Sequence, residues 1–336
     1  MDKRSERPRI LITGGSGFMG TNAVEHWSKL GFDVLNLDVK PPQNVAYDKL
    51  WVRCDITDVS ELRAVYEAFR PHYLLHLGAR TDLDESMNLN GYAANIDGVR
   101  NLTEIVGPGL RRAIFASSRM VCRIGYQPQH EEDYAPINLY GESKIQGERI
   151  VRSSRMDCEW LIVRPTSIWG PWFDVPYKQF FLAIQRGHYI NPASCNAVKS
   201  FGFVGNSVEQ LQKLFEAPAG LINHRTLYLC DYPPLRVREW AELIRQAMNA
   251  PRIIALPLAL TRGIALLGDL MEKIGRTKAP LTSFRLSNLV TDMLFDTSTI
   301  QKICGPVKYS LTDGVYITVN WLFNRPSRTE RPASAA

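Results

Sequence analysis

Short apolar runs alternate with segments of helical period through the first half of the chain. RILITGG (9–15) reads as a strand, TNAVEHWSKLG (21–31) as a helix stopped by Gly31, and FDVLNLD (32–38) as a second strand. The alternation continues with strand LWVRCD (50–55), helix VSELRAVYEAF (59–69), strand HYLLHLG (72–78) and helix AANIDGVRNLTEIV (93–106). It closes with strand RAIFASS (112–118), helix YGESKIQGERIVRS (140–153) and strand EWLIVRP (159–165). Strands joined by helices of this length cross over right-handedly, so the pattern predicts a parallel α/β sheet covered on both faces.

After Pro165 the regularity breaks. Trp169, Gly170, Pro171, Trp172 and Pro176 crowd a loop before the helix KQFFLAIQRG (178–187). A smaller, mostly α lobe is expected over 166–199 and 232–325. A segment near 200–231 returns to the first unit, its strand being RTLYLC (225–230). The polar, Pro-rich end is expected to be a disordered tail over 326–336. The most apolar later stretch, IIALPLALTRGIALLG (253–268), is broken by Pro257, Arg262 and Gly263 and is too short for a membrane span. It is read as a helix facing the core in preference to one lying on a membrane surface.

Composition changes this picture little. The 336 residues are 45% hydrophobic and 22% charged, which excludes a disordered or low-complexity chain. The formal charge of +6 favours anionic ligands, but the basic residues are dispersed among acidic ones and form no nucleic-acid stripe. Cys54, Cys122, Cys158, Cys195, Cys230 and Cys304 show no C-x-x-C spacing, so neither a metal site nor a disulfide framework is predicted. Reduced thiols and a charged start running directly into a strand point to the cytoplasm.

Between the first strand and first helix stands Thr13-Gly14-Gly15-Ser16-Gly17-Phe18-Met19-Gly20. Glycines permit a tight turn and close approach to a pyrophosphate, and the following helix N-terminus, through Phe18, Met19 and Gly20, offers N–H groups to the negative charge. Asp38 ends the second strand 18 residues after Gly20, where a carboxylate holds adenosine ribose hydroxyls. Together they predict a Rossmann-type doubly wound sheet over 1–165 that binds NAD. Asp38 repels the 2′-phosphate of NADP, while Lys40 beside it leaves NADP open.

Tyr140 and Lys144 lie four residues apart at the start of a helix and hence on one face. The ammonium is expected to lower the phenol's pKa and so make Tyr140 a usable acid and base. Ser117 and Ser118 end the preceding strand, and a hydroxyl there can orient a substrate oxygen beside the phenol.

These residues resemble the extended short-chain dehydrogenase/reductase superfamily, in its NAD-dependent epimerase/dehydratase branch acting on nucleotide sugars. The resemblance covers roughly residues 9 to 325 and includes CDI (54–56), HLGART (76–81), NIDG (95–98), FASS (115–118) and RPTSIWGP (164–171). It implies cofactor contacts from Gly14, Gly17, Phe18, Met19, Gly20, Asp38, Asp55, Ile56, Leu77, Gly78, Ala79, Asn95, Tyr140, Lys144 and Pro165. Substrate contacts are implied for Arg80, Thr81, Ser118, Ser167 and Lys199, with Arg80 alternatively pairing with Asp82 or Asp84. Ser118, Tyr140 and Lys144 form the implied catalytic trio. Tyr140 takes the proton of a sugar hydroxyl, usually O4, while hydride passes to nicotinamide. The helices beginning near Asn95 and Tyr140 are the usual dimer face of the family, implying a homodimer.

Departures from the family pattern narrow the chemistry. Arg119 and Met120 replace the acidic pair that dehydratases carry after the catalytic Ser/Thr, and Met120 matches neither the related decarboxylases nor the GDP-fucose-forming enzymes. Ser167 replaces an Asn, Cys122-Arg123 a Tyr-Gly, and Lys199 an arginine. A nucleotide-sugar 4-epimerase serving surface polysaccharide synthesis is the expected activity. The alternatives are a 4-reductase of a keto-sugar, a dehydrogenase of a non-sugar alcohol such as a steroid, and a non-catalytic NAD binder. Trp169 and Trp172 are read as packing between lobes in preference to stacking on a ligand, and His76 as a core residue in preference to a catalyst.

Overall fold

A computed structural model describes residues 7–83, 87–193, 196–275, 279 and 281–324. The expected tail at 326–336, together with Asp84 and Cys195, lies outside the described residues.

The first unit runs β1 (Arg9–Thr13), α1 (Phe18–Lys29), β2 (Asp33–Asp38), β3 (Trp51–Arg53), α2 (Val59–Phe69), β4 (Tyr73–His76), α3 (Ala93–Ile105), β5 (Arg112–Ala116), α4 (Leu139–Ser153) and β6 (Glu159–Pro165). It is followed by β7 (Ser167–Trp169), α5 (Tyr177–Gln185), β8 (Ile190–Pro192), β9 (Val198–Lys199), β10 (Phe201–Phe203), α6 (Val204–Glu216), α7 (Ala219–Ile222) and β11 (Thr226–Leu229). The chain continues through β12 (Leu235–Arg236), α8 (Val237–Ala247), β13 (Ile254–Leu256), α9 (Leu258–Lys273), α10 (Ser283–Val290), α11 (Ser298–Cys304) and α12 (Leu311–Phe323).

Seven parallel strands form one sheet in the order β11-β6-β5-β4-β1-β2-β3. Alternation of side chains along each strand divides the apolar residues between two faces. Ile10 and Ile12 pack with α1 and α6 on one face, while Leu11, Leu74 and Phe115 pack with α2 and α3 on the other. The chain reverses its winding between β1 and β4, and at such a switch point the strand ends leave a crevice open to a ligand. Asn138 caps α4 by accepting the Gly141 N–H at 2.9 Å, fixing where the helix carrying Tyr140 begins.

The later segments build small two-stranded pairs, β7 with β10, β9 with β12 and β8 with β13, around an aromatic centre. Trp169 is fully buried, 5.2 Å from both Phe203 and Trp240 by ring centroids, and Trp172 meets Trp321 edge-on at 5.7 Å. Both tryptophans therefore pack protein against protein.

The apolar stretch 253–268 departs from expectation. It divides into β13 and α9 at Pro257, and the inward face of α9 carries only small residues, Thr261, Ala265 and Gly268. Those small groups let the helix lie close against Ala279 and Leu281, which turns its large aliphatic side chains outward. The stretch is not a core-facing helix. Among the described residues no helix is long and apolar enough to cross a membrane.

Candidate active site

The glycine loop leaves β1 and enters α1 so tightly that Gly14, Gly15 and Gly20 have no room for a Cβ. Gly14 has φ +70°, and a Cβ on Gly20 would stand 2.0 Å from the Gly14 carbonyl oxygen. Gly17 occupies the N-cap position of α1 without a side-chain cap, so the first-turn N–H groups remain open to an anion. Phe18 and Met19, both half-buried, begin that turn. Asp38 leaves β2 beside the loop and accepts N–H bonds from Ser16 at 3.1 Å and Lys40 at 2.9 Å. These bonds fix the carboxylate while leaving it lone pairs for a ribose diol. An open helix N-terminus, a cradle where Gly14, Gly15 and Gly20 bring backbone close, and an anchored carboxylate fit NAD.

Leu77, Gly78 and Ala79 follow β4 directly against this loop, where the Leu77 N–H reaches the Thr13 carbonyl at 3.0 Å. Asp55 and Ile56 follow β3. The Asp55 carboxylate accepts the Thr57 N–H and hydroxyl, forming a turn, and Ile56 is buried against Gly98. Pro165, half-buried, ends β6.

Ser118, Tyr140 and Lys144 converge at the end of β5, and all three are more than nine-tenths buried. The Tyr140 phenol lies beside the Ser118 hydroxyl. Burial holds this phenol above its ordinary value, opposed by the neighbouring Ser118 hydroxyl and by the positive charge of Arg119. The lowering expected from Lys144 is therefore not what the structure shows. Lys144 Nζ instead donates to the Ala116 carbonyl at 2.9 Å, and burial pushes its own pKa down to about 8. Arg119 is the cation that acts on Tyr140. Burial lowers its pKa as well, against the opposing influence of Tyr177 and Tyr140.

Ser167, buried on β7, lies beside the half-buried Tyr177 phenol, which also feels Arg119. Tyr140, Ser118, Arg119, Tyr177 and Ser167 thus form one polar cluster beyond the sheet's carboxyl edge. Sequence reasoning missed Arg119 and Tyr177 as members of the site. Arg119 was discoverable from its place directly after Ser118, whereas Tyr177 belongs to no motif and reaches the cluster only through the fold of α5.

Three expected contacts have other roles. Asn95 is wholly buried and uses its amide on protein groups, accepting the Arg80 N–H at 2.8 Å and donating to the Arg80 carbonyl at 3.0 Å and to Ser143 at 2.9 Å. It positions the loop after β4 against α4 and is not a direct cofactor contact. The Arg80 guanidinium grips Asp82 through two bonds of 2.8 and 3.0 Å and donates to the Gly91 carbonyl at 2.9 Å, so it is held away from a phosphate role. Thr81 beside it is exposed. Lys199, 2% exposed, donates to the carbonyls of Asn288 at 2.6 Å and Thr291, at the C-terminal end of α10. A cation so enclosed does not face a diphosphate. His76 is buried, bonded through Nδ1 to the Thr13 hydroxyl at 2.7 Å, and pushed down to about 3 by desolvation, so it is a neutral interior group.

A doubly wound sheet with a dinucleotide cradle and a serine–tyrosine–lysine cluster at its carboxyl edge defines a nicotinamide-dependent oxidoreductase fold. The chain belongs to the NAD dependent epimerase/dehydratase family, whose sequence profile matches residues 10–219. It is 26% identical over 324 residues to the N-acetyl-alpha-D-glucosaminyl-diphospho-ditrans,octacis-undecaprenol 4-epimerase of Escherichia coli O157:H7, covering 94% of this chain and 95% of that protein. It is 25% identical over 254 residues to a 3-beta-hydroxysteroid dehydrogenase of Mycolicibacterium neoaurum, covering 71% and 69% of the two chains. The crystal structure of the UDP-glucose 4-epimerase of Thermotoga maritima with UDP-glucose shares the fold, with a TM-score of 0.70 and 20% identity over 94% of this chain and 98% of that one.

Proposed function

We propose that this protein is an NAD-dependent 4-epimerase of a sugar carried on a diphosphate, with a nucleotide sugar as the expected substrate. The observation that carries the reading is the buried Tyr140 phenol set beside Ser118 at the carboxyl edge of β5, with Arg119 where dehydration needs an acid. Tyr140 takes the proton of the C4 hydroxyl, Ser118 orients that oxygen, and Arg119 favours the charge that develops on the phenol. Bound NAD supplies the acceptor for the C4 hydride and its donor on return. Once the keto-sugar has turned, Tyr140 returns its proton to the C4 oxygen. The full-length similarity to the undecaprenol-linked epimerase supports a second reading of the carrier, in which the diphosphate ends in a polyprenol.

The same reading assigns 1–165, with the returning segment near 200–231, to the cofactor unit and 166–199 with 232–325 to the substrate lobe. It takes the assembly to be a homodimer through α3 and α4. The test is turnover on a panel of UDP-, GDP-, CDP- and dTDP-sugars and a polyprenol-linked N-acetylhexosamine. Tyr140→Phe should lower epimerisation by roughly three orders of magnitude or more while leaving NAD binding intact. Unchanged turnover in that variant rejects the assignment.

A further inference from the structure

The outward face of α9 is aliphatic along its whole length. Leu260, Ile264, Leu267, Met271 and Ile274 recur every three or four residues and form a single stripe, widened by Leu266 and Leu270. Leu266 is 64% exposed, Leu267 63% and Ile274 63%, values that no core helix shows. The 16 residues of α9 extend for roughly 24 Å. Phe284, at the start of α10 and 58% exposed, adds to the same hairpin. Together these side chains make an apolar patch of the kind that marks an interaction site.

The charges sort themselves around this stripe. Arg262 and Lys273, eleven residues and hence three turns apart, stand exposed on one border of it. The two carboxylates of the helix, Asp269 beside Lys273 among them, are each held by a backbone N–H. Asp269 accepts the Ser283 N–H and Glu272 the Ala279 N–H, both at 3.0 Å, and so hold the connection to α10. An aliphatic ridge bordered by cations, with the helix's two acids engaged by backbone N–H groups, is complementary to an anionic lipid surface.

We propose that α9 is an interfacial helix that seats this protein on an anionic bilayer, with the helix axis in the membrane plane. The hairpin is tied to the site's own framework. Lys199 clamps the end of α10, and two residues later β10 runs in parallel beside Ser167 on β7. Docking at α9 thus anchors, through α10 and β10, the framework that carries Ser167. The docking surface stands on the geometry of α9 and not on the epimerase reading, and its test reads binding rather than turnover, so either can fail alone.

The experiment is co-sedimentation of the full chain with sucrose-loaded vesicles of phosphatidylcholine, with and without phosphatidylglycerol. Wild type should pellet with the anionic vesicles and less with phosphatidylcholine alone. Leu267→Glu/Leu270→Glu should remain in the supernatant while keeping the wild-type melting temperature and NAD binding, since both side chains already face solvent. Arg262→Gln/Lys273→Gln should weaken binding to anionic vesicles by roughly tenfold or more. The proposal is overturned if wild type ignores anionic vesicles, or if the double glutamate variant pellets as wild type does. It is equally overturned if that variant loses self-association, measured by sedimentation velocity, while wild type shows no vesicle binding, because a second copy would then be the occupant.

Discussion

Replacing Arg164 by methionine tests how the catalytic helix is held. Arg164 on β6 and Glu148 on α4 are each 1% exposed, and the guanidinium meets the carboxylate as a fork. Nε reaches Oε1 at 2.8 Å and a terminal nitrogen reaches Oε2 at 2.7 Å. The Tyr134 hydroxyl adds a bond to Oε2 at 2.9 Å, and the side chain of Arg152 stands 3.7 Å away. Arg164→Met removes the cation and leaves a buried carboxylate with one hydroxyl and a more distant, partly exposed arginine. Breaking a buried pair from one side costs about 3–5 kcal/mol, and Arg152 places this case near the lower end. For a chain of this size about 3 kcal/mol lowers the melting temperature by roughly 6 °C. Differential scanning calorimetry on Arg164→Met, Glu148→Met and the double variant closes a mutant cycle. The double variant should recover most of the loss, because two apolar groups replace two desolvated charges. A single variant melting within about 1 °C of wild type, or a double variant as unstable as the sum of the singles, would refute the reasoning.

Two further outcomes follow from the electrostatics. Arg119→Met removes the positive charge that favours the Tyr140 phenolate, so the rising limb of the pH–rate profile should move to higher pH with NAD affinity unchanged, and an unmoved limb contradicts the role given to Arg119. Burial raises the Asp231 carboxyl from 3.8 to about 7, although it accepts the Phe203 N–H at 2.9 Å. Its folded-state pKa lies above the unfolded one, so the contribution to stability is complete below pH ~4 and is lost as pH rises through about 7, amounting to at most about 4 kcal/mol. Asp231→Asn should flatten that slope in melts between those pH values, and a slope identical to wild type would assign it to another group.

By itself the sequence determined what local rules and covalent spacing control. Alternating apolar runs and helical periods specify a parallel sheet, because each strand must bury both faces and each crossover needs a helix. Gly14 to Gly20, Asp38, and Tyr140 with Lys144 are legible because a tight turn, a strand end and one helical turn place those groups without reference to distant residues. The rest was decided by contacts far apart in the chain. Arg80, Asn95 and Lys199 stand in motif positions, yet their partners Asp82 with Gly91, Ser143, and Asn288 with Thr291 were set by the loops and α10, and those partners fixed their roles. The cation on Tyr140 is Arg119 rather than Lys144 because burial of Lys144 leaves the Ala116 carbonyl as its bond. In α9 the small residues, not the leucines, meet the protein, since only they allow the close approach to Leu281 that packing of α10 requires. Hydrophobic periodicity states that a helix has two faces; which face turns inward depends on the shape of what it packs against.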